Sequence, residues 1–437
     1  MTQKFTLHST AIQLEAKIRA NRLLNLPVSW ESEVVYPHYG GLSIYNIAQT
    51  VAAGFGLVAD APLDAAVWGG ETPLNDINRI VLIIIDGLGY QLLNAMLAED
   101  AELCAAVGEI TQGRGVLPLT SVAASTTAVA LTTLWTAKTP AAHGMLGTTM
   151  FLREFALLAN MLYYTPDSCP YPPGTLNSWG IKAADFVQVE ALGQLLEHAG
   201  VPTHLVLDMK LMGSGLSVML HRGITRCHLH AGAQDSWMRL RDVLAATAGQ
   251  RCFVGAYWPA VDDLSHLYGM NTAYLQREVK QQFMALRDVL VSDAVADGHT
   301  LVFITADHGH HDVKRTINLE EDERARPIRE ALRLAPAGDT RFAQFYLREG
   351  YRQSVINVLA HDFADQLAWI EPKVALEVGL FGQEAPHPEF FHRTGDLIVI
   401  SRLGAQVVKN RRSHQPVSTH GGLSDWEMLV PFLWRRI

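Results

Sequence analysis

Cysteine is scarce. Cys104, Cys169, Cys227 and Cys252 are scattered through 437 residues without a CxxC pair. That spacing excludes a disulfide scaffold, a zinc knuckle and a thiol redox motif. Basic charge is also short: 35 Lys and Arg stand against 44 Asp and Glu, a net charge of −9. No nucleic-acid polymer footprint exists at that balance. Small phosphorylated partners stay admissible, because bound cations reverse a local field. Long apolar runs are missing as well; no stretch reaches the roughly 18–20 residues of a membrane span. The opening segment MTQKFTLHSTAIQLEAKIRANRLL lacks a continuous apolar signal core. A cytoplasmic protein without membrane contact is the expectation. Repeats and low-complexity tracts are absent, as are a GxxxxGK[ST] loop and a GxSxG elbow. HPEFFH at 387–392 is not HExxH, and DGLG at 86–89 lacks the third glycine of a dinucleotide fingerprint.

What is present is an ordinary globular composition, 49% hydrophobic and 18% charged. The strongest local pattern is Ile80–Ile85, apolar at every position and β-branched at most of them. That is how a parallel strand buried on both faces reads. Phe253–Trp258 and Thr300–Thr305 behave alike. Helical periodicity marks Val187–Ala199 and Tyr274–Leu290 between them. The alternation predicts an α/β fold with a mostly parallel central sheet flanked by helices. Residues 1–75 read as an N-terminal extension packing on the core, with helices near Ala11–Leu24 and Ser43–Phe55. The core takes 76–312 and 413–437. A small α+β insertion or lid at 313–412 is expected to hold a charged helix over Lys314–Arg333, a strand at Arg341–Leu347, a helix over Gln353–Trp369 and a strand at Gly395–Ser401. The chain closes on a strand at Met428–Trp434.

Each strong strand ends on chemistry: Asp86, Asp262 and Asp263, and Asp307-His308. Ligands in such sheets bind outside the carboxyl ends of the strands. Asp262 and His266 are four apart, one face of a helix; an N-cap Asp with a solvent-facing His is the plain alternative. Asp307-His308 followed by Gly309 reads as a turn at a site, or as a capping Asp beside a surface His. His420 in Thr-His-Gly-Gly has room for close backbone approach, or is an ordinary turn histidine. Ser125-Thr126-Thr127 before an apolar run opens a helix. A hydroxyl N-cap accounts for it; so does an anion-binding helix N-terminus carrying a nucleophile. His310, His311 and His414 read as solvated loop histidines, with an indirect role at the site as the alternative.

In order and spacing, VLIIIDGLG, STTAVALTTLWTAKTPAAHGMLG, DDLSHLYG, TADHGH and STHGGLS resemble the type I phosphodiesterase/nucleotide pyrophosphatase family of the alkaline phosphatase superfamily. The resemblance covers roughly 76–312 and 413–437. It implies a metal-dependent phosphoryl hydrolase acting through a covalent phosphothreonine. Counting back nine residues from Thr136 puts the nucleophile at Thr127, with Thr126 as fallback. Asp86, Thr127, Asp307 and His308 match the first cation site; Asp262, His266 and His420 match the second. The cofactors implied are two divalent cations, zinc ahead of manganese or iron, and the partner is a small phosphorylated substrate. Two positions depart from nucleotide-cleaving relatives. Ala128 stands where an aromatic residue follows the nucleophile, and Thr148 where an asparagine binds a phosphoryl oxygen. A phosphomonoesterase, phosphonate hydrolase, phosphotransferase or mutase are the neighbouring activities, and a non-catalytic metal-binding sensor of the same fold is the alternative of another class. A sulfatase is excluded, because Thr127-Ala-Val-Ala-Leu lacks its Cys or Ser and the downstream Pro and Arg.

Overall fold

The computed structural model describes residues 7–24, 26, 30, 32–167, 171–409 and 416–437; Cys169 and His414 lie outside them. Its centre is a seven-stranded sheet in the order Leu117–Thr120, Leu429–Arg436, Thr300–Thr305, Arg79–Ile85, Cys252–Trp258, Thr203–Asp208, Arg226–His230. Leu429–Arg436 runs antiparallel to both its neighbours, and the remaining pairs are parallel. Arg79–Ile85 is buried at all seven positions, as a strand covered on both faces must be. Register puts Ile85 opposite Trp258 and Ile84 opposite Thr305. The three strands therefore stop at one level, and the residues after them meet at one edge.

A second seven-stranded sheet, antiparallel throughout, runs Leu367–Ile370, Leu397–Ser401, Phe342–Phe345, Ala337–Asp339, Thr149–Leu152, Leu157–Asn160, Thr165–Pro166. Two distant stretches of chain thus share one sheet. Alternation of side chains makes part of it a wall between two cores. Phe342, Ile398 and Ile400 join the large hydrophobic cluster of the central sheet. Ala343, Phe345, Leu397 and Val399 face a smaller cluster with Ile328, Val355, Leu359 and Phe363. The N-terminal helices Ser9–Ala20 and Ile44–Gly54 bury Leu14, Ile18, Ile47 and Val51 in the large cluster.

Several local expectations shift. Lys314–Arg333 is not one helix: Arg315–Asn318 pairs in parallel with Ala405–Val408, and a short 3-10 turn at Glu323–Ala325 leads into the α-helix Arg326–Ala331. The helix expected to reach Trp369 ends at Asp362, and Leu367–Ile370 pairs as an edge strand. In both places long-range strand pairing overrides local propensity. The helix expected from Val187 begins at Leu192, and the one expected to Leu24 ends at Ala20. Among the described residues, no helix is long and apolar enough to cross a membrane.

Candidate active site

Asp86 follows the central strand and is 3% exposed. Its Oδ2 accepts from the Tyr257 hydroxyl, and its Oδ1 has no hydrogen-bond partner among the described residues. Asp307 Oδ1 accepts from the backbone N–H of Gly87 at 3.2 Å and of His308 at 2.9 Å, while Oδ2 has no hydrogen-bond partner among the described residues. His308 Nδ1 lies 3.1 Å from the Gly309 carbonyl. A carbonyl only accepts, so Nδ1 carries the proton and the Nε2 lone pair is free. That Nε2 is 3.5 Å from Asp86 Oδ1, 3.4 Å from Asp307 Oδ2 and 3.1 Å from Thr127 Oγ. Burial, with Asp307 and Asp262 nearby, pushes the Asp86 carboxyl well above its usual range; a buried carboxylate beside others is costly to ionise.

Thr127 opens the helix Thr127–Thr136; Thr126 is its N-cap, with extended backbone. The helix reading is right. The simple capping alternative is not, because the Thr126 side chain makes no cap bond. Instead its hydroxyl bonds Asp339 Oδ1 at 3.1 Å and lies 2.9 Å from Thr148 Oγ. Thr148 N–H donates to Asp339 Oδ2 at 3.2 Å. Asp339 therefore comes from the second sheet into the neighbourhood of Thr127. Nothing in the surrounding AGDTR announced it. Burial raises its carboxyl pKa, against hydrogen bonds from Thr148 and Thr126.

Asp262 and His266 lie on the helix Ala260–Tyr268, with Asp262 Oδ2 3.5 Å from His266 Nε2. Asp263 is exposed, which separates the two adjacent acids. His420 Nε2 is 3.7 Å from Asp262 Oδ1, and its ring stacks on that of His308 at 3.9 Å. The stack joins the two groups of side chains. His310 and His311 are buried, at 0% and 8% exposure, which overturns their reading as solvated. His310 Nε2 lies 2.7 Å from Asp262 Oδ1. Burial works against the Asp262 carboxylate, but the His310 hydrogen bond and the electrostatic pull of His310, His266 and His420 outweigh it and hold the pKa below the usual range. Gly87 makes the convergence possible. Its φ of +75° disfavours other residues, and a Cβ there would lie 2.9 Å from the Asp262 Cα.

Among the described residues, two clusters could hold cations: Asp86, Asp307 and His308, and Asp262, His308, His310 and His420. Donors at zinc-like distances in a tetrahedron stand roughly 3.3–3.6 Å apart. The His308 separations of 3.4 and 3.5 Å and the His266–Asp262 separation of 3.5 Å match that edge. The unpartnered Asp86 Oδ1 and Asp307 Oδ2 are what a buried cation would satisfy.

The profile of the type I phosphodiesterase/nucleotide pyrophosphatase family matches residues 80–423. No curated protein matches the chain in sequence. Among solved structures, murine ectonucleotide pyrophosphatase/phosphodiesterase 5 superposes with a TM-score of 0.59 at 17% identity, over 82% of this chain and 88% of that one. An inactive threonine-to-alanine variant of that protein, in complex with AMP, scores 0.59 at 16% identity, over 82% and 87%. Phosphonoacetate hydrolase from Sinorhizobium meliloti 1021, in complex with phosphonoformate, scores 0.58 at 17% identity, over 83% and 90%. These likenesses establish the fold. With the family profile spanning most of its length, the chain belongs to the type I phosphodiesterase/nucleotide pyrophosphatase family, metal-dependent hydrolases of the alkaline phosphatase superfamily.

Proposed function

We propose that the chain hydrolyses a small phosphodiester or pyrophosphate through a covalent phosphothreonine on Thr127, with two divalent cations, zinc ahead of manganese or iron. The observation that carries this is the 3.1 Å approach of Thr127 Oγ to His308 Nε2, at the edge where the two acidic and histidine clusters meet. Asp86, Asp307 and His308, with Thr127 itself, would hold one cation; Asp262, His266 and His420 would hold the other. When bound, the pair supplies positive charge that favours ionised Thr127 and offsets charge on the attacking and leaving oxygens.

The chain's own part is as follows. Thr127 Oγ gives its proton to solvent and attacks phosphorus; the P–Oγ bond forms as the bond to the leaving group breaks and the leaving oxygen takes up a proton from solvent. Val129 and Ala130 N–H already donate to the Thr126 carbonyl, at 3.1 and 2.9 Å, so the Thr127 and Ala128 N–H groups are the ones that would meet the phosphoryl oxygens, with the positive end of the helix dipole behind them. Water then forms a new P–O bond, the P–Oγ bond breaks, and Thr127 regains a proton. The inactive threonine variant of the murine neighbour supports a threonine in this role.

Ala128 favours a second reading of the substrate. It is wholly buried, so the residue after the nucleophile offers no face to a nucleobase. A phosphonate is then the competing substrate, in keeping with the ligand of the bacterial neighbour. Both readings meet one test. Protein of measured metal content is assayed on p-nitrophenyl phosphate, phenylphosphonate, thymidine monophosphate and sulfate esters. Turnover of a phosphoryl or phosphonyl ester well above the sulfate is expected, together with a phosphorylated Thr127 peptide after acid quench. Metal-replete protein inert on all phosphorus esters would end the proposal.

A further inference from the structure

His310 is wholly buried among donors that the resemblance does not assign to it. Its Nε2 stands 2.7 Å from Asp262 Oδ1, and its Nδ1 stands 3.1 Å from Ser418 Oγ. Two roles are open to a histidine so placed. It could bind the cation itself, or it could hold the carboxylate that does.

The distances separate them. Donors that share a tetrahedral cation stand roughly 3.3–3.6 Å apart, and the other contacts here run from 3.1 to 3.7 Å. The His310–Asp262 contact is well below that edge. It is the length of a hydrogen bond to a charged oxygen. We propose that His310 is a positioning residue for Asp262, held in its working tautomer by Ser418; this rests on the two-cation reading above.

The proton order follows. A carboxylate accepts only, so His310 Nε2 carries the proton and Nδ1 accepts from the Ser418 hydroxyl. Ser418 acts twice. Its carbonyl accepts from His266 Nδ1 at 2.8 Å, which leaves the His266 Nε2 lone pair facing Asp262. One residue therefore sets the tautomers of two histidines, the kind of outer support that metal ligands use. A Cβ at Gly87 would lie 3.0 Å from His310 Nε2, so the ring is packed against backbone.

The test uses the full-length protein, stripped and titrated with Zn²⁺ against a competing chelator, with X-ray absorption on zinc-saturated samples. His310→Ala should weaken one of two zinc ions by about 10–100-fold and leave the other unchanged. The absorption spectrum should still count three imidazoles per two zinc ions, those of His266, His308 and His420. His310→Gln keeps an N–H donor near the Nε2 position and should restore most of the affinity; it also carries the test where the alanine variant fails to fold. Ser418→Ala, which keeps the carbonyl, should fall between. Unchanged zinc affinity in His310→Ala overturns the proposal. So does loss of one imidazole in both His310 variants, which would make it a ligand. A wild-type protein that takes up a single zinc ion would instead overturn the two-cation reading, and the proposal with it.

Discussion

Removing Arg341 should unfold the chain more readily than any exposed charge substitution, and the size can be worked out. Arg341 and Glu427 are both 0% exposed. Arg341 Nε and Nη2 donate to the two Glu427 oxygens at 2.6 and 2.7 Å, and Nη1 donates to the Ala405 carbonyl at 2.6 Å. Glu427 also accepts from Gly422 N–H at 2.8 Å and from the Ser424 hydroxyl at 2.5 Å. Arg341→Met leaves that carboxylate buried without its cation, a loss of about 3–5 kcal/mol. For a chain of this length melting as one unit, that lowers Tm by roughly 3–6 °C. The pKa gives a second measure. Burial opposes ionisation of Glu427, but the charge and hydrogen bonds of Arg341 outweigh it and hold the pKa at about 2, against 4.5 ordinarily. At 1.36 kcal/mol per unit this corresponds to about 3 kcal/mol. Because the folded pKa is depressed, the contribution is full above pH 4.5 and disappears as pH falls towards 2. Urea denaturation of wild type, both single variants and Arg341→Met/Glu427→Leu should therefore show coupling of several kcal/mol at pH 7 and much less near pH 3. A cost below about 1 kcal/mol for Arg341→Met at pH 7, the range of an exposed pair, would mean that Arg341 and Glu427 are not a buried ion pair.

Three further outcomes follow from the site. Thr127→Ala should abolish turnover while circular dichroism and metal content stay at wild-type values; full activity would remove Thr127 as nucleophile. His420→Ala should lose one equivalent of metal by plasma mass spectrometry and most of the activity, and unchanged stoichiometry would remove it from the ligand set. Chelation should lower Tm most at neutral pH. Burial and its acidic neighbours raise the Asp86 pKa, so in the stripped protein this carboxylate costs stability as pH rises through the raised value and costs nothing once protonated. The Tm gained on adding Zn²⁺ should shrink as the buffer is acidified; a gain that grows towards low pH would contradict the assigned charges.

The sequence displayed the parts of the fold whose signals are local. Ile80–Ile85 and Thr300–Thr305 are apolar at nearly every position because both faces are covered, and a short β-branched run of that kind suits a central parallel strand best. The spacing of Asp262 and His266 was legible because a helix repeats every 3.6 residues. The outer parallel strands Thr203–Asp208 and Arg226–His230 carry no such signal. The latter is a polar edge strand, exposed at Arg226 and Cys227. The second sheet was hidden for a different reason. Thr149–Pro166 and Ala337–Ser401 make short strands, several of whose partners lie far away in the chain, and no window of sequence contains both members of those pairs. Asp339 was invisible for the same cause. His310 stood in plain view beside Gly309, between His308 and His311, but burial, which separates a working histidine from a solvated one, is a tertiary property.

The segment from Ala337 to Arg341 shows what that hidden sheet does for the site. Asp339 reaches Thr126 and the Thr148 backbone, beside Thr127. Two residues on, Arg341 grips Glu427, whose Oε1 holds the Gly422 N–H close to His420. A Cβ at Gly421 would stand 2.8 Å from Asp339 Cβ, so the His420 loop and the Asp339 strand touch directly. One short turn of the second sheet therefore braces both the neighbours of Thr127 and the loop bearing His420. Loss of its docking should disturb attack and cation binding together, which separates it from a lid that governs only access.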